Sequence, residues 1–232
     1  MVSTIGYLDG LTASGIILSS VIFGLLSFYR ARKLEAKLLG IAGLMMILIG
    51  LLWLGPFTDF IMITISGKNI RPKQVYTWLS YMWVAPAIII GMYLGSELLV
   101  PEYKKTIVIF YAILGVIFEI YLFFDWANVF TYTLNNPGQD TIDSSFNRTS
   151  PAYWIIIFFL ISTFFFEGIG FAIKAKQASS EIRRKFTYLS VAFIVFVICG
   201  ALDSVIPPGI AIGFSRAVMM SFSLWMYLGL KT

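Results

Sequence analysis

The sequence contains the run LLGIAGLMMILIGLLWLGPFTDFIMITIS, residues 38–66, in which Asp59 is the one ionisable side chain. A helix needs about 20 apolar residues to cross the hydrocarbon core of a bilayer, because each residue adds about 1.5 Å along the axis. This run of 29 residues exceeds that length. It therefore predicts a transmembrane helix that tilts or projects beyond the core.

Six other long apolar runs, each bounded by charged or turn-forming residues, occur at residues 11–29, 75–99, 106–126, 152–173, 186–206 and 208–230. The overall composition agrees with this pattern. Hydrophobic residues make up 59% of the 232 residues and charged residues 12%, against about half and about a quarter in soluble domains. We therefore predict an all-α integral membrane protein whose single domain, residues 1–232, is a seven-transmembrane-helix bundle.

The basic residues are unevenly divided between the two ends of this predicted bundle. Twelve of the 17 Lys and Arg residues fall in the odd-numbered loops and at the C-terminus, and four fall on the opposite side. Cytoplasmic loops carry the excess of Lys and Arg in membrane proteins. We therefore predict a multi-pass protein of the cell membrane with its N-terminus outside the cell and its C-terminus in the cytoplasm. The first ten residues lack Lys and Arg, so the first run is expected to be a retained helix rather than a signal peptide.

The loop after the fourth run is predicted to lie outside the cell. It contains Asn147-Arg148-Thr149, which matches the acceptor pattern for N-glycosylation and makes Asn147 a candidate site. The net charge of +5 is explained by basic helix ends that face anionic lipid headgroups. Membrane lipid is therefore an expected partner, and nucleic acid is not.

Several classes of chemistry are disfavoured by residues that the sequence lacks. It has no histidine and a single cysteine, Cys199, which removes imidazole bases, histidine-bound metals and intrachain disulfides. A Gly-rich phosphate loop is also missing. The lysine that holds retinal in the last helix of microbial opsins has no counterpart, because Lys231 lies at the helix end. We therefore expect no enzymatic activity, no catalytic or metal-binding residues and no cofactor.

Ionisable side chains inside the predicted spans are the best candidates for a functional site. A charge at membrane depth costs at least about 2.5–3.5 kcal/mol, so it must face protein, water or a partner. Acidic, basic and deep aromatic residues of the outer half form the predicted site for a small ligand or ion: Trp53, Asp59, Trp83, Glu119, Asp203 and Arg216. The alternative is a structural ion pair of Arg216 with Asp203 or Glu119.

Glu167 lies in the cytoplasmic third of the fifth predicted span, with Thr163 and Gly170 on the same helical face. Intramembrane carboxyl groups often belong to proton or conformational relays, which is the functional interpretation for Glu167. A structural carboxyl hydrogen-bonded to a neighbouring helix is the alternative.

Two short sequence matches suggest an internal repeat. Met92-Tyr93-Leu94-Gly95 ends the third span and Met226-Tyr227-Leu228-Gly229 ends the seventh, while basic-Ala-basic triplets follow the first and fifth spans at residues 30–32 and 174–176. Parallel repeats about an axis along the membrane normal occur in transporters. A small transporter of the three-plus-one-plus-three plan, as in seven-helix sugar transporters, is therefore an alternative function. A structural membrane subunit is a third.

The order of motifs also carries a family resemblance. With Leu52-Trp53-Leu54-Gly55-Pro56 in the second span, Tyr81 and Pro86 in the third, and Tyr227-Leu228-Gly229 at the end of the seventh, the chain resembles the seven-helix membrane input modules that precede histidine-kinase and related output domains in archaea and bacteria. The resemblance implies a sensor or receptor-like role in signal transduction. The given sequence departs from that pattern because it stops at Thr232. Two expectations follow: an output domain belongs to a longer chain, or the bundle is free-standing and signals through a cytoplasmic partner. Oligomeric state and ligand identity stay open.

Overall fold

A computed structural model describes residues 1–207 and 209–231. The chain is 81% helical. Within these residues, seven helices are long and apolar enough to cross a membrane, and we call them spans 1 to 7: Thr4–Leu34, Lys37–Ser66, Lys73–Leu99, Pro101–Phe124, Pro151–Gln177, Ser180–Val205 and Ile210–Leu230. The predicted all-α chain with seven such helices is confirmed, whereas its orientation stays a prediction. The predicted start of the seventh span at Pro208 lies outside the described residues.

Span 1 is an uninterrupted α-helix that begins seven residues before its predicted start. Ser3 caps it, because its hydroxyl accepts a hydrogen bond from the Gly6 amide at 2.9 Å, one of the amides that lack a partner inside the helix. The helix ends before Glu35, whose positive φ of 52° turns the chain into span 2. The early start places Asp9 inside the helix.

Spans 2 and 3 are each interrupted near a proline. Span 2 consists of the α-helices Lys37–Gly50 and Leu54–Ser66 joined by the 3-10 turn Leu51–Trp53. Span 3 consists of Lys73–Tyr81 and Val84–Leu99. A proline leaves the carbonyl four residues earlier without its helical hydrogen bond, which here frees the carbonyls of Leu52 and Met82, before Pro56 and Pro86. Both breaks coincide with these carbonyls.

The other spans differ in regularity. Span 4 opens with the 3-10 turn Pro101–Tyr103 and continues as Lys104–Phe124. Span 5 contains a π-helix, Thr163–Ile169, between the α-helices Pro151–Ser162 and Gly170–Gln177. Span 6 is the continuous α-helix Ser180–Val205, and span 7 consists of the α-helices Ile210–Met219 and Ser221–Leu230, which are separated at Met220.

The connection between spans 4 and 5 forms a small β-hairpin. A helical turn at Trp126–Val129 leads into strand β1, Phe130–Thr133, which pairs antiparallel with β2, Asp143–Phe146. Phe130 lies opposite Phe146, and the Tyr81 ring packs against both at centroid distances of 5.0 and 4.9 Å. We call this side of the bundle, which also holds the N-terminus, the hairpin end. The opposite side, with most Lys and Arg residues, is the basic end.

The spans form a closed ring in which each packs against the next and span 7 packs against span 1. Its centre is apolar and includes the fully buried side chains of Met46, Met92, Leu94, Phe171 and Met226. Large apolar side chains cover the outer faces, most evidently in span 4, where Ile109, Ile113, Val116, Ile117 and Ile120 are exposed. Apolar surface of this extent suits contact with lipid tails rather than water.

Candidate functional site

A deep cavity of about 430 Å³ lies inside the ring. Spans 2, 3, 5, 6 and 7 and strand β2 contribute its walls. Its mouth is at the hairpin end, where the lining residues Ser145, Arg148, Ser204 and Val205 are exposed. Its floor reaches the Glu167 carboxyl group, about 24 Å along span 5 from Pro151 at 1.5 Å per residue. A space of this volume suits a small molecule, since ligand pockets measure roughly 300–1,000 Å³.

Arg216 of span 7 forms a buried ion-pair cluster at the cavity wall. Its Nε donates to Asp203 Oδ1 of span 6 at 2.6 Å, and its Nη1 donates to Asp9 Oδ1 of span 1 at 2.5 Å. The other oxygen of Asp9 accepts from the Thr141 hydroxyl at 2.7 Å. Asp9 and Arg216 are only 5% and 6% exposed. The guanidinium therefore joins three spans and the hairpin connection at one point.

The cavity mouth carries a second acidic group. Asp143 of strand β2 lines the cavity together with Asp203 and the exposed Arg148. Burial raises the pKa of Asp143, the carboxylates of Asp9 and Asp203 raise it further, and the Arg216 guanidinium opposes them. The carboxyl groups of Asp9, Asp143 and Asp203 therefore all lie close enough to the Arg216 guanidinium to interact with it.

The deep end of the cavity contains an unpaired carboxyl group. Glu167 is 1% exposed, and its Oε1 makes no hydrogen bond within the described residues. It projects from the π-helix of span 5 toward span 3, where glycines leave room for it. A methyl group built on Gly91 or Gly95 would lie 3.3 or 3.1 Å from Oε1. π-helical turns often accompany functional sites, and here the turn includes Glu167.

Aromatic side chains form much of the wall between these two polar regions. Trp53 lies in the 3-10 turn of span 2 and is 5% exposed. Tyr76 and Tyr81 of span 3 and Phe193 of span 6 also line the cavity. Gly200 of span 6 leaves a gap in the wall, because a methyl group built there meets no atom within 4 Å. The cavity is thus apolar and aromatic between two charged ends.

Asp59 belongs to a different structure, although the sequence predicted it in the ligand site. It is fully buried, and its carboxylate accepts hydrogen bonds from the Ile70 and Ile142 amides at 2.7 and 2.8 Å and from Asn69 Nδ2 at 2.9 Å. These donors come from the loop after span 2 and from the hairpin connection. Asp59 therefore ties together two loops of the hairpin end and does not line the cavity.

Glu119 and Trp83 face a groove between spans 3 and 4 rather than the cavity. Both Glu119 oxygens are buried, and neither has a hydrogen-bond partner in the described chain. The groove is apolar and shallow, and Gly115 and Ala85 pack closely beneath it. Glu119 thus lies on the side of span 4 away from Arg216. Equal depth in the membrane does not bring the two side chains together.

Asn147 directly follows strand β2 and is partly exposed. Its Oδ1 accepts from the Thr149 amide and hydroxyl at 3.2 and 2.9 Å, and its Nδ2 donates to the Asn128 carbonyl at 3.0 Å. The predicted acceptor is therefore at the hairpin end, in a turn closed by its own threonine. Its glycosylation stays a prediction.

Asp9 and Asp143 are the two acidic residues of the site that the sequence analysis missed. Asp9 lies before the apolar run of span 1, yet Ser3 is a typical N-cap residue and would have extended the helix to include it. Asp143 lies on a four-residue strand that carries no apolar alternation. No local pattern indicates its approach to Asp203.

The fold and the cavity define a class of protein, a multi-pass helical bundle with a deep cavity that opens at one end. Among residues 1–207 and 209–231, no group of three or more His, Cys, Asp or Glu side chains is arranged to hold a metal ion. No family model, curated protein or solved structure matches the chain.

Proposed function

We propose that this protein is a receptor-like membrane sensor that binds a small molecule in the cavity, without converting it chemically, and transmits occupancy to a cytoplasmic partner. The observation that carries the proposal is the cavity itself, which has a mouth at the hairpin end, an aromatic wall and an unpaired carboxyl at its floor. In the proposed orientation the mouth faces outward and the basic end faces the cytoplasm of the cell.

The closed ring supports a sensor over a repeat-based transporter. In the transporter alternative, spans 1 to 3 and spans 5 to 7 would be equivalent. Span 1 is continuous whereas span 5 contains a π-helix, and span 2 is broken whereas span 6 is continuous. The matching motifs also pack differently, because Gly95 faces Glu167 and Phe166 of span 5, whereas Gly229 faces Leu189 of span 6.

Cysteine accessibility tests the outward-opening cavity. In a Cys199→Ala background, Gly200→Cys is expected to react with a membrane-impermeant methanethiosulfonate reagent added outside intact cells. The uncharged probe 4-phenylbutan-1-ol should slow this reaction several-fold by occupying the cavity. Ile198→Cys, two residues away on an exposed apolar face, is the matched control and should stay unmodified. Reaction of Gly200→Cys only from the cytoplasmic side, or no reaction from either side, would contradict the proposal.

The route from cavity to basic end runs through span 5. Glu167 lies inside the π-helix, and the Gly168 carbonyl of the same turn accepts from the Ser190 hydroxyl of span 6 at 2.7 Å. A ligand against Glu167 would change the relative stability of two states of this turn, as any ligand-driven shift requires. We therefore propose Glu167 as the conformational relay.

Distances at the basic end test this relay. Spin labels at Arg32→Cys in span 1 and Lys176→Cys in span 5, in the Cys199→Ala background, are both on exposed positions. Saturating 4-phenylbutan-1-ol should shift their distance distribution by about 1–2 Å, the size of typical helix shifts. Filling the cavity with Gly200→Trp should remove the response. An unchanged distribution in a protein that binds the probe would refute the sensor half of the proposal.

A further inference from the structure

Glu167 is the deeply buried acid of the cavity lining, and its Oε1 has no hydrogen-bond partner in the described chain. Within the described residues, the lining includes five Asp, Glu or Arg side chains, namely Asp143, Arg148, Glu167, Asp203 and Arg216. Asp203 pairs with Arg216, which also binds Asp9. Among the ion pairs of residues 1–207 and 209–231, none includes Glu167. A carboxylate at this depth is costly unless a counter-charge or hydrogen-bond donor reaches it.

Extending the proposed function, and resting on it, we propose that the cavity binds an apolar organic cation whose ammonium group pairs with Glu167. The described lining carries three carboxyl groups against two guanidinium groups, and one of those guanidinium groups is held by two aspartates. The cavity therefore has an excess of acid. A cationic ligand matches that charge, and an anionic ligand would meet it with like charge.

The wall chemistry supports the same class of ligand. Trp53, Tyr76 and Tyr81 line the space above Glu167, and aromatic faces attract ammonium groups and pack against apolar bodies. At 1.5 Å per residue, Arg216 lies about 9 Å along span 7 from Ile210 and Glu167 about 24 Å along span 5 from Pro151. Both helices start at the hairpin end, so Glu167 is roughly 15 Å deeper than Arg216. A chain-like aromatic amine shorter than this distance fits with its ammonium group at Glu167 and its body against the aromatic wall.

Glycines on span 3 allow the Glu167 carboxyl to pack close to that helix, and Gly91 also lines the cavity. Methyl groups built on Gly91 and Gly95 would lie 3.3 and 3.1 Å from Oε1, so side chains at either position would crowd the carboxyl. Thr163, one helical turn before Glu167, also lines the cavity and offers a hydroxyl acceptor. Glu167, Thr163 and Gly91 line the deep end of the cavity together, where a small cationic head would fit.

Two probes that differ only in their polar group test the proposal. Calorimetric titration of the protein in lipid nanodiscs with 4-phenylbutylamine and with 4-phenylbutan-1-ol gives the affinity for each. Gly200→Trp, which fills the cavity, provides the blank for partition into lipid. The wild-type protein should bind the amine at least about tenfold more tightly, as expected for a charge-assisted contact. Glu167→Gln should abolish that preference while retaining alcohol binding.

Matched variants separate the proposal from its alternatives. Glu119→Gln makes the same chemical change at the groove carboxyl and should leave the amine preference unaltered. Gly91→Ala crowds Oε1 and should weaken amine binding more than alcohol binding, which provides a second test if Glu167→Gln does not fold. Loss of the preference in Asp143→Asn but not in Glu167→Gln would place the ammonium group at the mouth and overturn the proposal.

The outcome also distinguishes this proposal from the proposed function. Equal binding of amine and alcohol by the wild-type protein refutes the cation site and leaves the ligand cavity in place. Failure of both probes to bind, with Gly200→Cys inert to the thiol reagent, refutes both.

Discussion

Replacing Arg216 with methionine is expected to lower the free energy of unfolding by about 3–5 kcal/mol, the usual cost of removing one partner from a buried ion pair. The change leaves the carboxylates of Asp9 and Asp203 facing each other without the guanidinium that joins them. For a chain of this size the loss corresponds to a melting temperature roughly 6–20 °C lower. Thermal unfolding of the detergent-solubilised protein, followed by size-exclusion chromatography of heated samples, measures it.

The matched control neutralises the whole cluster. The triple variant Asp9→Asn, Asp203→Asn, Arg216→Met removes every charge of the cluster and should recover most of the lost stability, because replacing a complete buried ion network by neutral groups is often neutral or stabilising. The amide that replaces the Asp9 carboxylate keeps an oxygen that can accept from Thr141. If the single variant melts within about 2 °C of the wild type, or the triple variant is less stable than the single one, the cluster does not hold spans 1, 6 and 7 together.

The spans were predictable because each is a local property of the sequence. Residues 38–66 need no partner to be recognised as long enough to cross a bilayer, and Pro56 and Pro86 mark where spans 2 and 3 lose helical hydrogen bonds. Which side chains pair with each other was harder to predict from the sequence. Depth along a helix follows from counting residues, and depth alone puts Glu119 level with Arg216. The direction in which a side chain points from its helix depends on how all seven helices pack. Glu119 points to the groove between spans 3 and 4 and not toward Arg216.

The polar residues of the site illustrate the same limit. Asp203 could be assigned to Arg216 because spans 6 and 7 are consecutive and both residues lie near the same end. Asp9 is 207 positions away from Arg216, and only the closure of the ring through spans 1 and 7 brings them together. Glu167 was recognisable as an intramembrane acid, but its π-helix and its glycine-lined surroundings on span 3 arise from tertiary packing.

Asp59 carries the second large effect, which acts on the loops of the hairpin end. Replacing it with leucine removes the acceptor for three buried or partly buried donors, the amides of Ile70 and Ile142 and the side chain of Asn69. Each unsatisfied buried donor costs about 1–3 kcal/mol, so the variant should lose roughly 3 kcal/mol or more. Asp59→Asn retains one oxygen acceptor and should lose less.

Limited proteolysis measures this loss of stability at the loop after span 2. Lys68 lies in the loop that Asp59 restrains and is exposed, so trypsin added at the hairpin end can cleave after it once the loop opens. Cleavage of a transiently opened loop follows the free energy of opening, and 3 kcal/mol corresponds to a rate increase of about 100-fold. Thr64→Ala, which removes a hydroxyl bonded only to the Phe60 carbonyl of its own helix, should cleave at the wild-type rate. Asp59 does not line the cavity, so Asp59→Leu should bind 4-phenylbutan-1-ol with the wild-type affinity while its loops are cleaved faster. This combination would show that the Asp59 carboxylate stabilises the loops of the hairpin end and takes no part in ligand binding. Cleavage of Asp59→Leu at the wild-type rate would contradict this stabilising role.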